Sequence, residues 1–231
     1  MVALLVRVAL VALLLAPLPV TAQTAAASPH PNEPGRFDFY VLSLSWSPSY
    51  CAAAAERHAA GPLSRQCGGR PYSFVVHGLW PQYDKGFPQY CQTPTPRLNR
   101  EIVSSMLDLM PAPHLIYDEW DKHGTCSGLS PQAYFDAVRL ARAAVKIPPA
   151  YGALNAPLAV APDAVADAFI KANPGLSPQA IAIGCERNRL TEVRLCLSKD
   201  LSKDVQFHDC LAVSRRSCRR DQVNMPPVRG G

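Results

Sequence analysis

Along the chain the apolar positions change period several times. From Val2 to Leu15 they run almost unbroken, with Arg7 the single charge. The run is shorter than the roughly 20 apolar residues that cross a bilayer. The small residues Val20-Thr21-Ala22 follow it, so residues 1–22 are expected to be a signal peptide cleaved before Gln23. Residues 23–36 are small, polar and proline-rich, and predict a flexible mature N-terminus. FDFYVLSLSW (37–46) is dense in aromatic and branched residues, the pattern of a mostly buried strand. SPSYC is read as its end, with a loop running through Cys67. YSFVVHGLW (72–80) predicts a second short strand, and a loop with four prolines is expected over 81–97.

Helical spacing then takes over. LNREIVSSMLDLM (98–110) brings Ile102, Met106, Leu109 and Met110 onto one side. Ser130-Pro131 supplies an N-cap and a proline at the first helical position, opening a helix through 131–146. A helix over 162–172 is stopped by Asn173-Pro174, and Ser177-Pro178 opens a short helical turn. RLTEVRLCLS (189–198) and DVQFHDC (204–210) alternate as strands do. Strands and helices mix without a βαβ rhythm, which predicts α+β. No repeat or later linker divides residues 37–231, so a single domain is expected.

Composition narrows the picture. All eight cysteines lie beyond the apolar leader, at 51, 67, 91, 126, 185, 196, 210 and 218. An even count in an exported chain predicts a disulfide framework. Eight cysteines allow 105 pairings, among which spacing alone does not choose. No Cys-x-x-Cys or His-x-x-x-His spacing supports a zinc site. The formal charge of +5 is compatible with a polyanionic substrate. A secreted or periplasmic location is expected, and no later segment is long enough to cross a membrane.

Two stretches carry candidate chemistry, and each contains His-Gly. In SFVVHGLWP, His77 stands at the end of an apolar strand. In YDEWDKHGTC, a helix over 115–123 stopped by Gly124 puts Glu119, Lys122 and His123 at i, i+3 and i+4 on one face. Asp118 flanks that face, and Tyr117 and Trp120 are expected to turn towards the core. Read blandly, these are a structural histidine and a solvated ion-pair cluster. Read chemically, two imidazoles supply a general acid and a general base near neutral pH. A lysine and a carboxylate beside them stabilise charge and tune the rings. That set suits in-line cleavage of a phosphodiester by the substrate's own 2′-hydroxyl.

HGLWP together with EWDKHGTC resembles the paired active-site segments of the T2 family of secreted ribonucleases, supported by FDFYVLSLSWSPSYC and RPYSFVVHGLWPQYDKGFPQYC. The resemblance extends in order and spacing over residues 37–218. It implies an α+β fold, with a central antiparallel sheet and flanking helices stapled by disulfides. It implies cleavage of RNA through a 2′,3′-cyclic phosphate to a 3′-phosphate end, with low base specificity, no metal or other cofactor, and no cleavage of DNA. His77 matches the general acid and His123 the general base, with Glu119 and Lys122 assisting them. Trp80 matches an aromatic of the base pocket, and Tyr83 and Phe87 are candidate stacking partners. The pairings implied are Cys51–Cys67, Cys91–Cys126, Cys185–Cys218 and Cys196–Cys210. A monomer is expected, with RNA as its partner.

One position departs from the family pattern. A histidine commonly precedes the glutamate of the second segment, and here Asp118 stands there. Asp118 is counted with the substrate-facing residues, where it would adjust phosphate affinity or the pH profile. His114, four residues earlier, is a candidate substitute imidazole. The Arg215, Arg216, Arg219 and Arg220 cluster is read equally as an RNA-attracting patch or a solvated face. His30, His58 and His208 are read as structural or surface residues. The alternative functions are a catalytically weak RNA-binding or signalling relative and a metal-dependent nuclease.

Overall fold

The computed structural model describes residues 32–57, 65–202, 204–215 and 217–228. The expected signal peptide, His30 and His58 lie outside these residues. The described chain runs β1 (Phe39–Trp46), α1 (Ser47–Glu56), α2 (Arg65–Gly68), β2 (Phe74–Gln82), α3 (Arg100–Met106) and α4 (Pro113–Lys122). After a 3-10 turn at Gly124–Ser127 come α5 (Pro131–Ala144), α6 (Pro149–Gly152), β3 (Leu158–Val160) and α7 (Pro162–Ala172). A second 3-10 turn at Pro178–Ala180 leads to β4 (Ile181–Glu186), β5 (Arg189–Ser198), α8 (Leu211–Ser214) and β6 (Val223–Met225).

The strands form one sheet in the order β2-β1-β5-β6-β3, with β4 also paired to β5. β1 is antiparallel to both β2 and β5, which fixes which of its residues face which side. Tyr40, Leu42, Leu44 and Trp46 belong to the main core, where α3, α4, α5 and α7 bring Met106, Ile116, Trp120, Phe135, Val138 and Phe169 against the sheet. The alternate residues Phe39 and Val41 belong to a smaller cluster with Cys196, Cys210 and Val213. Farther along that second face the residues become Ser43 and Ser45. One face of β1 is therefore core throughout, and the other turns polar halfway along. The fold is α+β. β5 and β6 meet in parallel at Arg189–Asn224, whereas the other strand pairings are antiparallel.

Disulfides join Cys51 to Cys67, Cys91 to Cys126, Cys185 to Cys218 and Cys196 to Cys210. Among the described residues no helix is long and apolar enough to cross a membrane.

Several local expectations need correction. Ser47-Pro48 opens α1 instead of ending β1 in a loop, because proline at the start of a helix gives up an N–H that has no helical partner there. Residues 204–210 form no strand; Phe207 makes one isolated bridge to Leu197. α4 ends at Lys122 with His123 as its cap, close to the expected end, but Gly124 is not a left-handed stop: the chain continues there into the 3-10 turn and reverses at Gly128, whose φ is +76°. Gly124 is needed for space instead: a Cβ there would lie 2.4 Å from the Trp120 ring. Trp120 is buried as expected, but Tyr117 is exposed.

Candidate active site

The sheet's edge strand carries the first part of the site. Ser43 pairs with Gly78 and Leu44 with Val76, so the β1–β2 register slips by one residue at His77. Such a bulge leaves one residue without a partner and re-aims its side chain. The His77 side chain is 40% exposed, and its Nδ1 lies 3.1 Å from Ser45 Oγ. The glycine after it answers to a close approach from the next layer. A Cβ on Gly78 would lie 1.9 Å from Glu119 Oε2 and 2.4 Å from Trp80 Nε1.

The second part arrives on α4. Ile116 and Trp120 bury one stripe of this helix in the main core, and the Trp120 N–H is held by the Pro96 carbonyl at 2.7 Å. That anchoring turns Glu119 over the edge of β2. Glu119 Oε2 accepts from Trp80 Nε1 at 2.6 Å, and Oε1 lies 3.5 Å from His77 Nε2. His123 caps the helix, its backbone N–H bonded to the Glu119 carbonyl. The loop after β2 is stitched to the same place. Tyr90 N–H donates to the Lys122 carbonyl, Cys91 N–H donates to Thr125 Oγ1, and the Cys91–Cys126 bond closes the seam.

Together these elements line a cleft of about 340 Å³ that includes His77, Trp80, Phe87, Glu119, Lys122 and His123. Trp80 neighbours both imidazoles, its ring centroid 5.6 Å from His77 and 5.3 Å from His123. Phe87 is 40% exposed with its ring 6.1 Å from His123, on the open side of the cleft. Two other sequence candidates fall elsewhere. Tyr83 is buried in the main core and does not line the cleft, because the chain turns back at Gly86 immediately after β2. Asp118 is exposed and outside the cleft lining, one position round the helix from Glu119; His114 is exposed and outside it as well. Of the basic cluster, Arg216 lies outside the described residues, and none of Arg215, Arg219 and Arg220 lines the cleft.

Four polar residues escaped the sequence reading. Glu192 and Arg194 on β5 line the cleft, and Arg194 Nη2 donates to Glu192 Oε1 at 2.5 Å. Ser43 Oγ donates to Glu192 Oε2 at 2.5 Å, and Ser45 reaches His77. The Arg194 guanidinium also lies 5.5 Å from the Trp80 ring centroid, within cation–π range. The signal was present: serines or charges at alternate positions of strands that are otherwise apolar.

Burial dominates the electrostatics. It pushes the Glu119 carboxyl up to about 7, against the pull of the Trp80 hydrogen bond and the Lys122 charge. It pulls the His123 imidazole down to about 3, reinforced by Lys122 and His77. His123 Nδ1 is buried with no hydrogen-bond partner among the described residues, as suits a ring kept neutral. His77 is lowered by burial, with Glu192 raising it and Arg194 and Lys122 lowering it further. Burial opposes ionisation of Glu192, but the Arg194 charge and the hydrogen bonds from Arg194 and Ser43 outweigh it and hold that carboxyl below its ordinary value. Among the described residues no group of three or more His, Cys, Asp or Glu side chains is placed to hold a metal ion.

Fold and cleft define a disulfide-stapled α+β protein with two imidazoles and a buried carboxyl gathered round one indole. The Ribonuclease T2 family pattern matches residues 37–210, and the chain belongs to that family. A ribonuclease of Aeromonas hydrophila is 43% identical over 99 residues, covering 43% of this chain and 42% of that one. A probable ribonuclease of Haemophilus influenzae is 36% identical over 126 residues, covering 51% and 46% respectively. The chain thus spans less than half the length of these two relatives. Among solved structures, an RNase-related protein from Calystegia sepium superposes with a TM-score of 0.65 at 19% identity, over 84% of this chain and 98% of that one. That likeness is one of fold.

Proposed function

We propose that this protein is an exported, monomeric endoribonuclease that cleaves single-stranded RNA with low base specificity and without a metal. The observation that carries this reading is the gathering of His77 and His123, 5.6 and 5.3 Å from the Trp80 ring centroid, with Glu119 and Lys122 in the same cleft. Membership of the Ribonuclease T2 family supports it.

His123, held neutral, takes the proton of the ribose 2′-hydroxyl. The 2′-oxygen attacks phosphorus, the bond to the 5′-oxygen breaks, and protonated His77 delivers a proton to that leaving oxygen. The product is a 2′,3′-cyclic phosphate, which water opens to a 3′-phosphate with the two imidazoles exchanging roles. Lys122 offsets charge on the phosphoryl oxygens. Glu119, hydrogen-bonded to Trp80, fixes the indole beside both rings. Trp80 and Phe87 offer stacking faces, and stacking tolerates any base at about 1–3 kcal/mol each.

The mechanism needs His77 protonated and His123 neutral. Both imidazoles lie below the ordinary histidine value, so the rate should peak on the acid side of neutrality. Product analysis on ribodinucleotides across pH, with and without a chelator, tests the reading. A cyclic phosphate intermediate and insensitivity to chelator are expected, with no cleavage of DNA or 2′-O-methyl RNA. Cleavage of either hydroxyl-blocked substrate would overturn the mechanism.

A further inference from the structure

We propose that Glu192 is a positioning residue for the general acid: it supplies the negative charge that keeps His77 protonated, while Ser45 fixes the tilt of the ring. The role of His77 as acid comes from the ribonuclease reading; the pairing of charge to ring comes from the strands themselves.

Glu192 lies opposite Ser45 in the β1–β5 register, and Ser45 Oγ is the group 3.1 Å from His77 Nδ1. The carboxylate occupies a prepared place. Ser43, two residues from Ser45 on the same face of β1, donates to one oxygen, and Arg194 donates to the other. Across β4, Gly184 leaves the space the side chain fills, since a Cβ there would lie 2.5 Å from Glu192 Cγ. A surface glutamate needs none of these provisions. A carboxylate meant to stay ionised within a sheet needs all of them.

The groups that face His77 divide by sign. Lys122 on α4 and Arg194 on β5 oppose a positive charge on it, as does any charge on His123. Glu119 is the nearer carboxyl, at 3.5 Å, but burial leaves it protonated until the pH reaches about 7. Under acidic conditions it is therefore a neutral hydrogen-bonding group. Glu192 is already ionised there, because Arg194 and Ser43 hold its proton off. The two carboxyls share the work: Glu119 sets the geometry of Trp80, and Glu192 sets the charge of His77.

The test follows the His77 imidazole by NMR titration in wild type, Glu192→Gln and Glu119→Gln, alongside the pH profile of kcat/KM on RNA. In Glu192→Gln the His77 titration should fall by about one pH unit, the effect of losing a nearby opposite charge. The alkaline limb of the profile should move with it, a loss of about tenfold in rate above that limb. In Glu119→Gln the titration should stay within about 0.3 unit of wild type, well below the one-unit effect of a lost counter-charge. A fall confined to Glu119→Gln, or an unmoved ring in Glu192→Gln, would overturn the proposal. Should Glu192→Gln fail to fold, a one-unit fall in Glu119→Gln would overturn it and a steady value there would support it. If wild type cleaves no RNA, the ribonuclease reading fails, and the titrations still decide whether Glu192 is the counter-charge of His77.

Discussion

Placing a Cβ on Gly78 would bring it 1.9 Å from Glu119 Oε2 and 2.4 Å from Trp80 Nε1, closer than side-chain contacts come. The glutamate would have to withdraw, and with it would go the 2.6 Å bond that fixes the indole beside the imidazoles. Backbone strain is not involved, because Gly78 is not among the residues with positive φ. Gly78→Ala should therefore fold, with an unchanged far-ultraviolet circular dichroism spectrum. Its kcat/KM on RNA should fall about 100-fold, the usual consequence of ångström-scale misplacement in such sites. Wild-type activity in this variant would show that the Glu119–Trp80 contact has no part in the reaction. The adjacent position works differently: Asp118 is exposed, and its charge reaches the cleft by helping to raise Glu119.

At the level of elements, the cleft depends on α4 staying against the edge of β2, and the loop between them is held by Cys91–Cys126. Opening a closed loop of 35 residues releases chain entropy to the unfolded state worth about 4 kcal/mol at 25 °C. The Cys91→Ser, Cys126→Ser double variant should lose about that much in urea unfolding, and the rate on RNA should fall even where it remains folded. Unchanged stability would show that the hydrogen bonds of Tyr90, Cys91 and Trp120 hold the seam unaided. The elements also explain what could be read in advance. β5 and α7 were legible to the residue, since alternation marks one and proline with Asn-Pro frames the other. β4, β3 and β6 were not: β3 and β6 are three residues long and pair only with strands distant in sequence, and β4, the hairpin neighbour of β5, offers only a short apolar run. α1 was hidden by a Ser-Pro pair taken for a terminator, although the same pair correctly opened α5. In the site, the His-Gly pairs stood out locally. Glu192 and Ser43 did not, because their meaning arises only when β1 and β5 lie side by side.

For the molecule as a whole, two buried groups on one helix make opposite demands on pH. His123 titrates at 6.5 ordinarily and about 3 when folded, so between those values the unfolded chain holds the extra proton. Its contribution to stability is complete above 6.5 and is lost as the pH falls through that window towards 3. Glu119 moves from 4.5 to about 7, so the folded chain holds the extra proton between those values. Its contribution is complete below 4.5 and is lost as the pH rises towards 7. Where the windows overlap, from about 4.5 to 6.5, each gain of one is the loss of the other, and the pair adds no net slope. Glu119→Gln removes the falling half and leaves the rising half. Relative to wild type, the variant should then gain stability with pH across the overlap at about 1.4 kcal/mol per unit, the slope of one proton. Urea unfolding at half-unit steps through that range measures the difference directly, and the other titrating groups cancel because both proteins carry them. Parallel curves would mean that Glu119 is ionised in the folded protein throughout, and the division of labour between the two carboxyls would fall with it.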